Sequence, residues 1–424
     1  MASLDARLIP LNAPEADADT EAGQGVRQTP NKMNSMMKKY GAYLPIPSWA
    51  LCVVGALTLL SVYCLLTPAS VPSYAPTITV LGVEDWHCLG NGQDCAKESK
   101  LTAAKIKLIT PSKIDDPSLK EIVENLGVEE SPKQIKSLDD FMKKNNVDLV
   151  TFGMAESKIA QMLKLRTGGW PLSAPMTSQG MLGSADFYRM EDKDQFQQTL
   201  KDTGLEDFTI KNYDASSLII CKDMPTPKSD ATVADRCSLT QTVDYPLMIK
   251  PSQGRGAISK NHLYKKVDSA EELLKFFNTP LPEKGGKTFL FLSPADFTLQ
   301  EWVVSKYEDS FHFVYSEDHG GFLKVKITRD EYKTDDAVAH HNPERTRTTL
   351  ERDDIPPFLM TKFGQFLKMM QYRGIGCFDM KYRNSDLSKP MVMEMNPRIC
   401  GSQPDFPDYG DWFRTWARLY VVKE

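Results

Sequence analysis

The stretch Gly374–Ser402, GIGCFDMKYRNSDLSKPMVMEMNPRICGS, limits what this chain can fold into more than any other segment. Pro390–Met395 has the composition of a strand, in which alternate side chains share a face. Glu394 and Asn396 stand two apart and so point the same way. Asp379 ends another short strand fifteen residues earlier, and a hairpin would return it beside Glu394. Two carboxylates and an amide oxygen form a hard oxygen cluster suited to Mg²⁺ held with phosphate. Arg398 lies at the same edge, where a planar guanidinium can bind phosphate oxygens in pairs. Taken alone, E-x-N is weak, because the same residues also decorate ordinary β-hairpins.

Upstream segments supply matching parts in order. In Tyr245–Lys260, YPLMIKPSQGRGAISK, a strand delivers Lys250 to a loop whose Gly254 and Gly256 let backbone N–H groups approach phosphate. The spacing is not that of a P-loop, G-x-x-x-x-G-K-[ST]. In Leu299–Glu308, LQEWVVSKYE, Glu301 precedes an apolar backbone segment and Glu308 follows it. Such a segment can bind adenine through backbone groups and ribose through a carboxylate.

Asp192-Lys193 ahead of a helix, YPLMIKPSQGRG, LQEWVV with Glu308, and GIGCFDM with MEMNPR together resemble the ATP-grasp superfamily of the carboxylate–amine/thiol ligase type. The resemblance spans about residues 184–402. It implies a Rossmann-like pre-ATP-grasp domain of α/β type, followed by an α+β ATP-grasp fold of two subdomains. It puts Lys193 and Lys250 on the ATP phosphates, and Gly254, Arg255, Gly256 and Ala257 in a flexible cover. Glu301, Trp302 and Val303 would form the adenine hinge, with Glu308 at ribose. Asp379, Glu394 and Asn396 would ligate one or two Mg²⁺ ions, with Mn²⁺ also possible. Arg398 and Lys250 take the catalytic roles. Arg255 departs from a loop that is often Gly/Ser-rich, and Cys377 stands where peptide-forming relatives carry Arg. Lys324, Lys326 and Arg329 are therefore left as candidates for oxyanion stabilisation.

The implied activity is an ATP- and Mg²⁺-dependent ligase that activates a carboxylate as an acyl phosphate for attack by an amine. The same scaffold also admits a catalytically inactive ATP-binding or scaffold protein, or a kinase or carboxylase. The implied partners are a small-molecule carboxylate and amine. The oligomeric state is not readable from the sequence.

Composition bounds the rest. The 424 residues suit two or three domains, and a net charge of -5 offers no electrostatic footprint for nucleic acid. A mean hydropathy of -0.37 excludes a polytopic membrane protein. It does not exclude one span, and Ile46–Leu66 carries no charged side chain, with Trp49 and Tyr63 near its ends. The expected layout is a disordered tail over 1–45, a single-pass anchor over 46–66 and a linker over 67–76. The pre-ATP-grasp domain follows over 77–183, the small subdomain over 184–287 and the metal-binding subdomain over 288–424. Arg27, Lys32, Lys38 and Lys39 precede the anchor, so the positive-inside rule puts the N-terminus in the cytosol. That leaves the side of the ATP site in tension with its need for cytosolic ATP.

Cys88 with Cys95, and Cys221 with Cys237, are spaced for short-loop disulfides, although free thiols are the expectation. The charged segment Thr334–Asp354, which contains His340-His341, is expected to be a mobile loop with solvated histidines.

Overall fold

In the computed structural model the described residues are 75–82, 96–124, 132–151, 176–177, 180–181, 189–225, 227, 229–252, 264–282, 289–337 and 343–421. The expected tail, the anchor over 46–66, most of the linker, and His340-His341 lie outside them. No helix among the described residues is long and apolar enough to cross a membrane.

Strands and helices alternate at first: β1 (Ile78–Gly82), α1 (Ala96–Ala103), β2 (Ile106–Ile109), α2 (Pro117–Glu124), α3 (Pro132–Lys144) and β3 (Leu149–Thr151). The strands pair in parallel in the order β2-β1-β3. All five residues of β1, ITVLG, are buried, as a central parallel strand covered on both faces requires. Two short strands, β4 (Met176–Thr177) and β5 (Gly180–Met181), join a sheet that is built mostly from later residues.

Next comes α4 (Lys193–Asp202), capped by the Asp192 carboxylate, which accepts from the N–H groups of Asp194 and Gln195. It is followed by β6 (Asn212–Asp214), α5 (Ala215–Leu218), β7 (Ile219–Cys221), β8 (Cys237–Leu239), β9 (Leu247–Pro251), β10 (Lys265–Val267) and α6 (Ala270–Asn278). With β11 (Leu281–Pro282), β12 (Phe289–Leu290) and β13 (Phe297–Glu301), these strands make an antiparallel sheet, β10-β9-β13-β6, and two small ribbons. Leu273, Phe276 and Phe277 fall at helical spacing on α6 and pack with Leu247, Ile249, Phe297 and Leu299.

The chain ends with β14 (Tyr307–Ser316), β15 (Gly321–Tyr332), β16 (Arg345–Leu350), α7 (Pro357–Met369), β17 (Arg373–Tyr382), β18 (Pro390–Asn396) and α8 (Tyr409–Ala417). They complete a seven-stranded sheet, β16-β15-β14-β17-β4-β5, with β18 also paired to β17. Both faces of its centre are covered. Phe311 and Phe313 of β14 meet Phe363 and Phe366 of α7 and Phe196 of α4 on one side. Val314 and Ile375 join Tyr409, Trp412 and Phe413 of α8, and Ile78 and Val80 of the parallel sheet, in the core on the other. The rings of Phe363 and Phe378 stack at 4.4 Å.

α8 also docks directly on the parallel-sheet layer. The buried Arg414 guanidinium donates to the carbonyls of Ala104 and Pro76, both at 2.9 Å. At Gly410 an added Cβ would lie 2.1 Å from the Lys100 carbonyl oxygen, so a side chain there would force α8 away from α1.

Two expectations are corrected. Thr334–Asp354 is not wholly a loop, because β16 lies within it and pairs in register with β15. Its charges are used in the pairing: Arg345 and Arg347 both bond Asp330 on β15. Nor are the cysteines all free, since Cys221 pairs with Cys237 and Cys377 with Cys400. Cys221 and Cys237 are register partners across β7 and β8, with Cα atoms 4.0 Å apart. Cys377 lies opposite Asn396, and the turn after β18 brings Cys400 back to it at a Cα separation of 6.4 Å. Cys88 and Cys95 lie outside the described residues.

Candidate active site

Register places the carboxylates. Asp379 on β17 is the direct partner of Glu394 on β18, and Cys377 is the partner of Asn396. On the other side of β17, Asp379 faces Ser310 and Lys381 faces Glu308. Glu308, Ser310 and His312 alternate along β14, so three adjacent strands present one polar face. The Ser310 hydroxyl donates to Asp379 Oδ1 at 2.5 Å, and the Asn396 amide donates to Asp379 Oδ2 at 2.9 Å. Arg398 Nη2 donates to Asn396 Oδ1 at 3.0 Å.

Two lysines reach this face from outside the sheet. Lys193, at the start of α4, lies 3.2 Å from Glu394. Lys250, on β9, donates to Gln300 Oε1 at 2.7 Å, and Gln300 is oriented in turn by Asn212. Their environments differ. Burial opposes the charge on Lys193, but Glu394, Tyr264 and Glu191 outweigh it and raise its pKa. Burial, with Lys193 and Lys381 nearby, pushes Lys250 down to about 8 despite the opposing Glu394 and Glu308.

One cavity opens on part of this face; Lys193, Asn396 and Arg398 do not line it and reach it through Glu394 and Asp379. Lys250, Gln300, Glu301, Glu308, Asp379, Lys381 and Glu394 line its polar side, and Ile210, Met248, Tyr264, Trp302, Val303 and Met393 supply most of the rest. The Trp302 ring is held by Lys381, whose Nζ lies 4.2 Å from the ring centroid. The N–H groups of Glu301 and Trp302 donate to the carbonyls of Lys211 and Pro246. The Glu301 side chain is bound by Arg383 and by the Lys211 N–H, so it serves the protein framework as well as the cavity wall.

The donor set suits a divalent cation. Burial and the neighbouring Glu394 push Asp379 up to about 7, while burial also raises Glu308. Burial would raise Glu394 too, but Lys193 and Lys250 reverse it and hold that carboxyl low. Three carboxylates are thus crowded together with one held up toward its protonated form, and a hard divalent cation would relieve that crowding. Asp379 and Glu394 offer oxygens directly. Asn396 would join by turning its amide oxygen from Arg398 toward the ion.

Most sequence-predicted residues therefore converge, but not all. Gly254, Arg255, Gly256 and Ala257 lie outside the described residues. The three oxyanion candidates are corrected, since each is already paired and none lines the cavity. Lys324 pairs with Asp411, Lys326 with Asp408 and Glu351, and Arg329 with Asp309. Sequence reading missed Ser310, Gln300 and Lys381. Period-two spacing from Glu308 to Ser310, and from Asp379 to Lys381, was the signal available.

No protein-family model matches the chain, and comparison with curated proteins finds no match. Among solved structures it is similar to an L-amino acid ligase from Bacillus licheniformis at 11% identity, covering 81% of this chain and 74% of that one, with a TM-score of 0.47. It is also similar to N5-carboxyaminoimidazole synthetase from Staphylococcus aureus complexed with ADP, at 12% identity and a TM-score of 0.46, covering 84% of this chain and 80% of that one. A third is biotin carboxylase from Campylobacter jejuni, at 13% identity and a TM-score of 0.44, covering 82% and 72%. At this level of similarity the function has to be read from the site.

Proposed function

We propose that the chain is an ATP-dependent ligase of the ATP-grasp type, which converts a carboxylate to an acyl phosphate for attack by an amine. The observation that carries this reading is the convergence on one cavity of an apolar slot at Trp302–Val303, the carboxylate of Glu308, the ammonium of Lys250, and the Asp379–Glu394 pair. Adenine fits the slot formed by Ile210, Met248, Trp302 and Val303. Because the Glu301 and Trp302 N–H groups are already used, Val303 presents the backbone edge to the base. Glu308, on the same cavity wall, would accept from the ribose hydroxyls. The triphosphate then runs toward Lys250 and Lys193, as their charge and burial favour.

A carboxylate is a poor electrophile because its leaving group would be oxide. Taking the γ-phosphoryl group of ATP turns that leaving group into phosphate. The amine nitrogen then attacks the carbonyl carbon, the C–O bond to phosphate breaks, and an amide forms. Lys250, Lys193 and Arg398 offset negative charge as it shifts between oxygens, so positioning and electrostatics carry the rate. Asp379, Glu394 and Asn396 would hold Mg²⁺ or Mn²⁺, which supplies charge neutralisation at the transferring phosphoryl oxygens.

ADP release measured with Mg-ATP against a panel of carboxylic acids and amines tests the reading. Amine-dependent ADP release with amide formation supports it. ATP binding with no turnover on any pair would leave a nucleotide-binding scaffold. Phosphorylated product with no amine requirement would indicate a kinase, and bicarbonate-dependent turnover a carboxylase. We further propose that residues 46–66 anchor the chain in a membrane. Protease protection of the C-terminal part in intact membranes would report which side carries the site.

A further inference from the structure

One row beyond Asp379 and Ser310, the same polar face carries a cluster that the ligase reading does not use. His312 on β14 is the register partner of Cys377 on β17, and the chain past β18 returns Cys400 to the same place. A ring nitrogen of His312 and the sulfurs of Cys377 and Cys400 all lie within 4.8 Å of one another, and all three residues are buried. His312 Nε2 bonds the Ser402 hydroxyl at 2.9 Å, and Phe406 packs edge-on against the ring. The other nitrogen, Nδ1, is buried and makes no hydrogen bond among the described residues. Leaving a buried polar nitrogen unpartnered costs free energy that a bound ligand would recover.

We propose that His312, Cys377 and Cys400 form a redox-gated binding site for a thiophilic divalent cation such as Zn²⁺. In the disulfide form described here the two sulfurs are bonded to each other and are not available as thiolate ligands. Exchange with a cellular dithiol breaks the S–S bond, leaves two thiols on the protein and converts the reductant to its own disulfide. Zn²⁺ then displaces one proton from each thiol and binds both thiolates. With Nε2–H directed to Ser402, the lone pair of Nδ1 is the third ligand. The Ser402 hydrogen bond on the far side of the ring fixes that tautomer, as is usual for metal-bound histidine. Two thiolates and one imidazole leave the fourth tetrahedral position to water. Burial, which pushes His312 down to about 3, keeps the imidazole neutral and able to ligate. Access runs past Gly401, which is exposed, and Ser402, which is half-buried.

The site is distinct from the Asp379–Glu394 oxygen cluster in ligand chemistry. Soft sulfur donors select Zn²⁺ and related ions, whereas hard carboxylates select Mg²⁺. Yet the two share strands: Asn396 donates to Cys377 Sγ at 3.7 Å, and Cys400 follows Arg398 by two residues.

The test uses the full chain, reduced with a water-soluble trialkylphosphine, which becomes the phosphine oxide as the two thiols form. Titration with Co²⁺ as a spectroscopic probe should give one equivalent with a thiolate-to-metal charge-transfer band. That band should be missing from oxidised protein, Cys377→Ser and Cys400→Ser, retained in Cys221→Ser/Cys237→Ser, and weakened in His312→Ala. A parallel measurement needs no variant: Zn²⁺ should protect Cys377 and Cys400 from alkylation, as read by peptide mass mapping. The proposal is overturned if the phosphine fails to reduce this pair. It is equally overturned if reduced wild-type chain gives no charge-transfer band, or if the two cysteines alkylate equally with and without Zn²⁺. None of these readouts requires ligase turnover, so they fail or succeed independently of the ATP reading.

Discussion

The two walls of the cavity are built differently. The carboxylate wall belongs to β14, β17 and β18, strands of seven to ten residues whose sheet is covered on both faces by aromatic side chains. The lysine wall belongs to β9 and β13, strands of five residues in a four-stranded sheet whose core takes side chains from the short α5 and from α6. On the proposed reading, the carboxylates that would hold a cation sit on the sheet with aromatic cores on both faces. Lys250, which would meet the triphosphate, sits on the smaller sheet.

The sharpest way to break this division is to disarm the carboxylate wall without unfolding it. Glu394→Ala should lower Mg-ATP turnover by about 10²–10³-fold or more, because a preorganised electrostatic contact to the reacting group is lost. Steady-state ADP release alongside circular dichroism checks this, and unchanged turnover in folded protein would remove Glu394 from the site. Next in size is the packing beneath that wall. Phe363 is fully buried and stacked on Phe378, so Phe363→Ala should cost about 3–5 kcal/mol in denaturant unfolding. A loss below 1 kcal/mol would show that the aromatic layer does not brace the strands.

The lysine wall should respond to pH instead. Lys250 loses its proton at about 8 in the free protein, and a bound triphosphate stabilises the ammonium. Deprotonation removes positive charge, so ATP affinity should weaken as pH rises through 8 and stay level below it. Lys250→Arg should flatten that dependence. Calorimetric titration across the range decides it, and an equally steep slope in the Arg variant would assign the effect to another group. The smallest expected effect is Ser310→Ala. Removing its hydrogen bond to Asp379 should weaken the apparent Mg²⁺ affinity by roughly a few-fold to tenfold, read as a rise in the activating Mg²⁺ concentration.

How much of this was legible follows the same division. Period-two spacing told that Glu394 and Asn396 share a face, and a hairpin from Asp379 was enough to bring the carboxylates together. The helix after Asp192-Lys193 was also readable, because it is set by local residues. What escaped was set by partners distant in sequence. Lys324, Lys326 and Arg329 read as free cations until Asp411, Asp408 and Asp309 were placed beside them. Arg345–Leu350 read as loop because its strand character depends on Asp330 across the ladder, not on an apolar pattern of its own. Cys377 and Cys400 lie 23 residues apart, with no spacing rule that joins them.

The docking of α8 has a consequence for the order in which the molecule can be made. Arg414 closes on Ala104 across 310 residues of sequence, and the Tyr409–Ala417 helix completes the apolar cover of strands laid down near the other end of the described chain. A ribosome releases the covering helix only after the 310 residues that separate Arg414 from Ala104 have been synthesised. The parallel sheet must therefore wait, with part of its apolar surface open, for residues that emerge much later. During that interval the nascent chain offers chaperones a binding surface, and a ribosome stalled before Tyr409 would leave that surface exposed.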